Sequence, residues 1–210
     1  MISFGKMMTV DDILSRAREV GIRMETERFC FRIPGALQLL RGMLDRLTGG
    51  RTVWHEEYDE VADWLSFNRG RGLLMIGRPG QGKSLLCERV IPALVYAHTG
   101  ICISSFSASD LCRRWDDVSR MHRLCIDDVG VEPAEVQRYG TTQYPFSELV
   151  DTVEREGRLL LATTNLTTRE LLDRYGVRTV DRLRSTVRVV VMHTPPEVDT
   201  MSSSHRGMWV

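Results

Sequence analysis

Apolar residues follow two kinds of pattern along this chain. In one they recur every three or four positions with polar residues between, the mark of a helix with a single buried face. In the other they run unbroken over four to six positions, as in a strand covered on both faces of a sheet. Near the start, Val10, Ile13, Leu14, Ala17 and Val20 share one helical face, with Thr9 placed to cap and Asp12 three residues on. Residues 29–33 read as a short strand ended by Pro34-Gly35, and Leu37, Leu40, Leu44 and Leu47 as a helix closed by Gly49-Gly50. Residues 1–50 thus form a small N-terminal segment rather than a second full domain. Its first helix has an apolar stripe equally suited to packing on its own core or gripping a partner.

Beyond it the rhythm changes. Tyr58, Val61, Ala62 and Leu65 mark a helix, and residues 72–76 are the first of five apolar runs. The others are residues 101–106, 124–127, 159–163 and 187–192. Helical patterns separate them at 84–97, 109–118, 145–156 and 168–175, with a further piece at 178–185. Strand alternating with helix predicts an α/β fold, a parallel sheet between two layers of helices. Ligands of such folds bind beyond the carboxyl ends of the strands, so the chemistry is expected just after Ile76, Ile126 and Thr163.

Composition narrows the field. The 210 residues carry 28 basic and 28 acidic side chains, so bulk charge does not coat nucleic acid and any such contact needs a local patch. No apolar run reaches the roughly 20 residues of a membrane span, and the first ten residues lack a secretory core. Five scattered cysteines, several among apolar neighbours, read as reduced core residues of a cytoplasmic protein. Of the 28 basic residues only Lys6 and Lys83 are lysine, and Lys83 falls in a glycine-rich loop.

That loop is Gly77-Arg78-Pro79-Gly80-Gln81-Gly82-Lys83-Ser84, followed by Leu85. It fits G-x-x-x-x-G-K-[ST], in which backbone N–H groups cradle phosphate oxygens and the following helix aims its positive end at them. A chain of this composition yields such a match by chance only about 0.002 times. Lys83 would reach the β- and γ-phosphates of a bound nucleotide, and the Ser84 hydroxyl would ligate Mg²⁺. A second apolar strand ends in Asp127 and Asp128, the first able to hold the Mg²⁺ water shell and the second to orient attacking water. Taken alone, two acids at a strand end also suit a solvated turn. A third run ends in Thr164-Asn165, whose polar groups either touch the γ-phosphate or simply lead into the Thr167-x-x-Glu170 helix cap.

The phosphate loop, Ile-Asp-Asp-Val-Gly at 126–130, Thr-Thr-Asn-Leu at 163–166 and Tyr-Gly-Val-Arg-Thr-Val-Asp-Arg-Leu-Arg at 175–184 occur in this order. Together they resemble the AAA+ ATPases of the DnaC helicase-loader and IstB transposition-helper family, over about residues 58–192. The resemblance implies a P-loop NTPase with a five-stranded parallel sheet at 51–193. No lid domain follows Met192, and residues 194–210 form a tail. It implies ATP and Mg²⁺ as cofactors and an ATP-dependent homo-oligomer. It also implies a role in loading a replicative helicase onto single-stranded DNA, or alternatively in helping a transposase. By position, Asp127 is similar to the Mg²⁺-organising acid, Asp128 to the hydrolytic acid and Asn165 to the first sensor. Arg182 is similar to the arginine finger offered to a neighbouring subunit's ATP, with Arg178 as a second. Without the resemblance, Arg174, Arg178, Arg182 and Arg184 suit a solvated helix face. Arg206 in Ser204-His205-Arg206 is similar to the family's terminal sensor. Where AAA+ proteins usually carry glutamate, the hydrolytic position is Asp128, shorter by a methylene, which implies slow hydrolysis. The stretch from Ser107 to Arg123 is short for the extra helix with which loaders line single-stranded DNA. Arg113, Arg114 and Arg120 are candidates to take its place, although a solvated helix face suits them better. A small P-loop kinase is the other enzyme class with such a loop, and the chain shows no basic substrate lid for one.

Overall fold

The computed structural model describes residues 8–22, 28–138 and 140–193. Five parallel strands form the central sheet: β1 (Gly72–Ile76), β2 (Ser104–Ser107), β3 (Arg123–Val129), β6 (Leu159–Thr164) and β7 (Val187–Val191). Their spatial order is β2-β3-β6-β1-β7, with β4 (Val136–Arg138) and β5 (Thr141–Gln143) forming a separate antiparallel hairpin. The α/β fold expected from the alternating pattern is therefore present. The phosphate-loop strand β1 and the acid-bearing β3 flank β6, so three strand ends meet at one place.

Side chains of each strand alternate between two cores. Leu73, Met75, Leu161 and Val190 face one layer, packed with Leu40 and Leu44 of α2 (Ala36–Thr48) and Val61 and Leu65 of α3 (Glu57–Ser66). Leu74, Ile76, Leu160 and Ala162 face the other, packed with Phe146 and Leu149 of α8 (Pro145–Glu156) and Val180 and Leu183 of α9 (Thr168–Thr186). Every residue of β1 and β6 is buried, which is why their sequences read as unbroken apolar runs rather than alternation. α2 is built into the first core, whereas α1 (Val10–Glu19) buries Ala17 and leaves Val10 and Ile13 exposed.

Three local expectations are corrected. Residues 29–33 join no ladder: the Phe31 N–H donates to the Asn68 side chain at 2.8 Å and the Ile33 N–H to the Leu65 carbonyl at 3.1 Å. The segment is pinned by one buried asparagine and a helix end, which supply partners a sheet neighbour would otherwise give. β2 begins at Ser104 rather than 101. The helix after the phosphate loop is interrupted: α4 (Lys83–Leu85) passes through a π turn (Leu86–Val90) into α5 (Ile91–Thr99). Pro92 lacks an N–H and its ring would crowd the carbonyl four residues earlier, and the wider π turn relieves that clash. The hairpin β4–β5 has no apolar alternation and went unread.

Arginines close the end of the sheet at which β1 and β6 begin. Arg71 donates to the Arg184 carbonyl at 2.6 Å and the Val187 carbonyl at 2.7 Å, and Arg158 to the Ser119 and Met121 carbonyls at 2.7 and 3.0 Å. The Arg184 and Ser119 carbonyls belong to helix ends, which leave them without intrahelical donors, whereas Val187 begins β7 and Met121 lies in the loop before β3.

Candidate functional site

The phosphate loop is anchored on three sides. The Gly77 N–H donates to the Thr164 carbonyl of β6 at 3.1 Å, and the Tyr58 hydroxyl of α3 donates to the Gln81 carbonyl at 2.9 Å. The buried Gln81 side chain donates to the His193 carbonyl at 3.1 Å. A Cβ at position 77 would lie 2.3 Å from Gln81 Oε1 and 2.7 Å from Met192 Cβ, so only glycine lets the loop leave the strand here. Arg78, Pro79 and Gly80 are exposed at its tip, while Gly82, Ser84 and Leu85 are half-buried.

Lys83 is 5% exposed, and its ammonium donates to the carbonyls of Gly77 and Arg78 and to Asn165 Oδ1, at 2.8, 2.9 and 2.9 Å. Burial pushes its pKa below the usual lysine range, and the Asp128 and Asp127 carboxylates oppose that. Sequence positions 83, 128 and 165 are thereby joined, because the Asn165 amide also donates to Asp128 Oδ1 at 3.2 Å.

Thr163 ties the two acids together. Its hydroxyl donates to Asp127 Oδ1 at 2.6 Å and accepts from the Asp128 N–H at 2.9 Å. Asp128 stands at φ 59, a left-handed conformation uncommon outside glycine, and the β3–β6 register shifts between Ile126 and Val129. The bulge turns two consecutive acids into two differently aimed groups, one toward β6 and one toward Asn165. The sequence shows both acids but hides this hydroxyl; its only trace is a pair of threonines ending an apolar strand. Tyr58 is likewise readable as core alone, because its helix is apolar on that face.

No three histidine, cysteine or acidic side chains converge as a metal cage among the described residues. A nucleotide-borne Mg²⁺ needs no such cage, since it takes one or two protein oxygens and fills the rest with water and phosphate. The Ser84 hydroxyl and the Asp127 carboxylate are the oxygen donors of the right hardness here. A third acid, Glu88 on the π turn, has its pKa raised by burial and by the charge of Asp127, with a smaller push from Asp128 and opposition from Arg89.

The arginines are elsewhere. Arg182 pairs with Asp151 and with Glu154 of α8, the latter at 3.1 Å, and the Asp151 bond raises its pKa. Arg178 is exposed one turn earlier, and Gly176 between them and the start of α9 breaks the helix at φ 77, ψ 163. The two expected helical pieces are thus present, joined at that glycine. Arg174 departs from a solvated face and donates to the Glu132 carbonyl. Arg113, Arg114 and Arg120 are exposed at the β2 edge, with Arg114 paired to Asp117 at 3.2 Å. Arg206 lies outside the described residues.

No protein-family model matches the chain, and no curated protein sequence matches it. Solved structures do. The chain is similar to the DnaC helicase loader, at 18% identity and a TM-score of 0.51, over 78% of this chain and 94% of that one. It is similar to DnaI at 16% identity and a TM-score of 0.56, over 74% and 93%. It is also similar to the replication initiator DnaA bound to AMPPCP and single-stranded DNA, at 16% identity and a TM-score of 0.52, over 74% of this chain and 50% of that one. At these identities the likeness shows a shared fold alone, a five-stranded parallel sheet flanked by helices.

Proposed function

We propose that this chain is an ATP-dependent helicase loader: an AAA+ ATPase that assembles into an ATP-switched oligomer and places a replicative helicase on single-stranded DNA. The observation that carries the enzymatic part is the Lys83–Asn165–Asp128 chain of contacts, which joins a phosphate-binding ammonium to a water-orienting acid through one amide. The loader part rests on the fold shared with the DnaC loader and DnaI, whose lengths this chain nearly spans. ATP sits with its phosphates in residues 77–85. Ser84 and Asp127 would hold a bound Mg²⁺, which would supply charge neutralisation for the phosphates.

Within this reading each residue has one task. The loop N–H groups and Lys83 hold the phosphates. Asp127, steadied by Thr163, holds the water shell of the cation. Asp128 accepts a proton from the attacking water, and Asn165 fixes the aim of that carboxylate. Arg182 leaves Asp151 and Glu154 to stabilise the charge on a neighbouring protomer's phosphates, with Arg178 beside it.

Mixing two inactive variants tests the oligomeric part. Lys83→Ala and Arg182→Ala are each expected to lose turnover, and their mixture to regain part of it, because one supplies the finger and the other the bound ATP. A mixture as inactive as its components overturns the finger assignment. Recovery of a hexameric helicase bound to the ATP form of the tagged protein supports the loader role, and recovery of a transposase instead overturns it.

A further inference from the structure

Glu132 is an acid buried to 1% exposure outside the phosphate site, four residues after Asp128. Its carboxylate is fully engaged. Oε2 accepts from the Gly130 N–H at 2.8 Å, and Oε1 accepts from the Tyr175 hydroxyl of α9. Its own carbonyl accepts from the Arg174 guanidinium. Tyr175 packs its ring against Phe146 of α8, centroids 4.8 Å apart, so the hydroxyl reaches Glu132 from a fixed platform. Burial, and then the bond to Glu132, push the Tyr175 hydroxyl pKa upward, so the phenol stays protonated as a donor.

A buried carboxylate is expensive to keep unless it organises something. Here it organises the turn. The Val131 N–H closes that turn on the Asp128 carbonyl at 3.2 Å, and the next N–H toward the strand, that of Gly130, is held by Glu132. Asp128 keeps its left-handed backbone because the surrounding bonds over-determine it. Tyr175 immediately precedes Gly176, the non-helical break before Arg178 and Arg182.

We infer that Glu132 is a positioning residue: it locks the Asp128 turn and ties it, through Tyr175 and Arg174, to the first half of the helix whose second half bears Arg178 and Arg182. The inference rests on the ATPase reading for its catalytic consequence, but the tie itself is a property of the unliganded chain. Motion at the acid turn is passed to the residue next to the helix break, and motion of the helix is passed back to Asp128.

The test uses the full chain with two conservative variants. Tyr175→Phe keeps the ring against Phe146 and removes only the hydroxyl, and Glu132→Gln keeps the volume but can satisfy only one of its two donors. Amide hydrogen exchange is read at residues 128–131, which Tyr175→Phe does not touch in sequence. Exchange there is expected to quicken about tenfold in both variants, the loss of one bond to a charged group. Turnover is read with Mg²⁺-ATP and single-stranded DNA, and kcat is expected to fall about tenfold with KM within twofold of wild type. Exchange at 128–131 unchanged in Tyr175→Phe overturns the tie, whatever the activity. A kcat equal to wild type, or a fall in kcat matched by a rise in KM, overturns the positioning role. A wild type that neither binds nor hydrolyses ATP contradicts the ATPase reading instead, and the exchange result still decides the tie.

Discussion

Lys83 and Asn165 meet at 2.9 Å, ammonium to amide oxygen, across 82 residues of chain. The other end of the same amide reaches Asp128, and in the proposed ATPase these three groups link the phosphates to the attacking water. Asn165→Ala is expected to lower turnover by roughly 10- to 100-fold, the value of a bond to a charged group, while ATP affinity changes little. Steady-state kinetics beside nucleotide titration separates the two effects.

Thr163 holds both acids and is fully buried. Thr163→Val keeps the shape and leaves the Asp128 N–H without its acceptor, so stability should fall by about 1–3 kcal/mol. The urea midpoint reports the loss, and a midpoint equal to wild type would contradict the bridging role.

Gly176 has open space where a Cβ would stand, yet its φ of 77 and ψ of 163 belong to a region that side chains avoid. Gly176→Ala is therefore expected to lose about 1–3 kcal/mol through backbone strain rather than through a clash. A thermal melt equal to wild type would show that the two halves of α9 straighten freely.

Acid should destabilise the fold through its helix caps. Asp110 accepts from the Ser107 hydroxyl and N–H, and Glu170 from the Thr167 N–H and hydroxyl, and these bonds hold both carboxyls below their usual range. Glu57, raised by burial but more strongly lowered by bonds from His193, behaves alike. A carboxyl depressed in the folded state binds protons more readily when unfolded, so its contribution is present above the unfolded value and vanishes as pH falls through the folded one. Melting temperature should hold steady above about pH 5 and drop below about pH 4, the ordinary carboxylate range. Asn at position 110 and Gln at 170 should flatten that drop.

The sequence carried the frame of the site well. A buried strand reads as an unbroken apolar run because both faces of β1 and β6 are covered, and the residues after such runs are the ones the sheet brings together. Lys83, Asp127, Asp128 and Asn165 were legible for that reason. What escaped were partners defined by geometry across the chain. Thr163 differs from any strand threonine only by the β-bulge beside it, and Glu132 looks like a loop acid until α9 folds over it. The segment at 29–33 has strand composition, yet its partners are an asparagine side chain and a helix carbonyl, which periodicity does not encode. The ion pairs of Arg182 likewise depend on how α8 meets α9.

Calorimetric titration of Mg²⁺-ATP into the full chain and into Lys83→Ala tests the phosphate site most directly. One saturable site is expected for the wild type, weakened at least about tenfold in the variant through loss of a charge-assisted contact. Equal affinity in the two proteins, or no binding to the wild type, would contradict it.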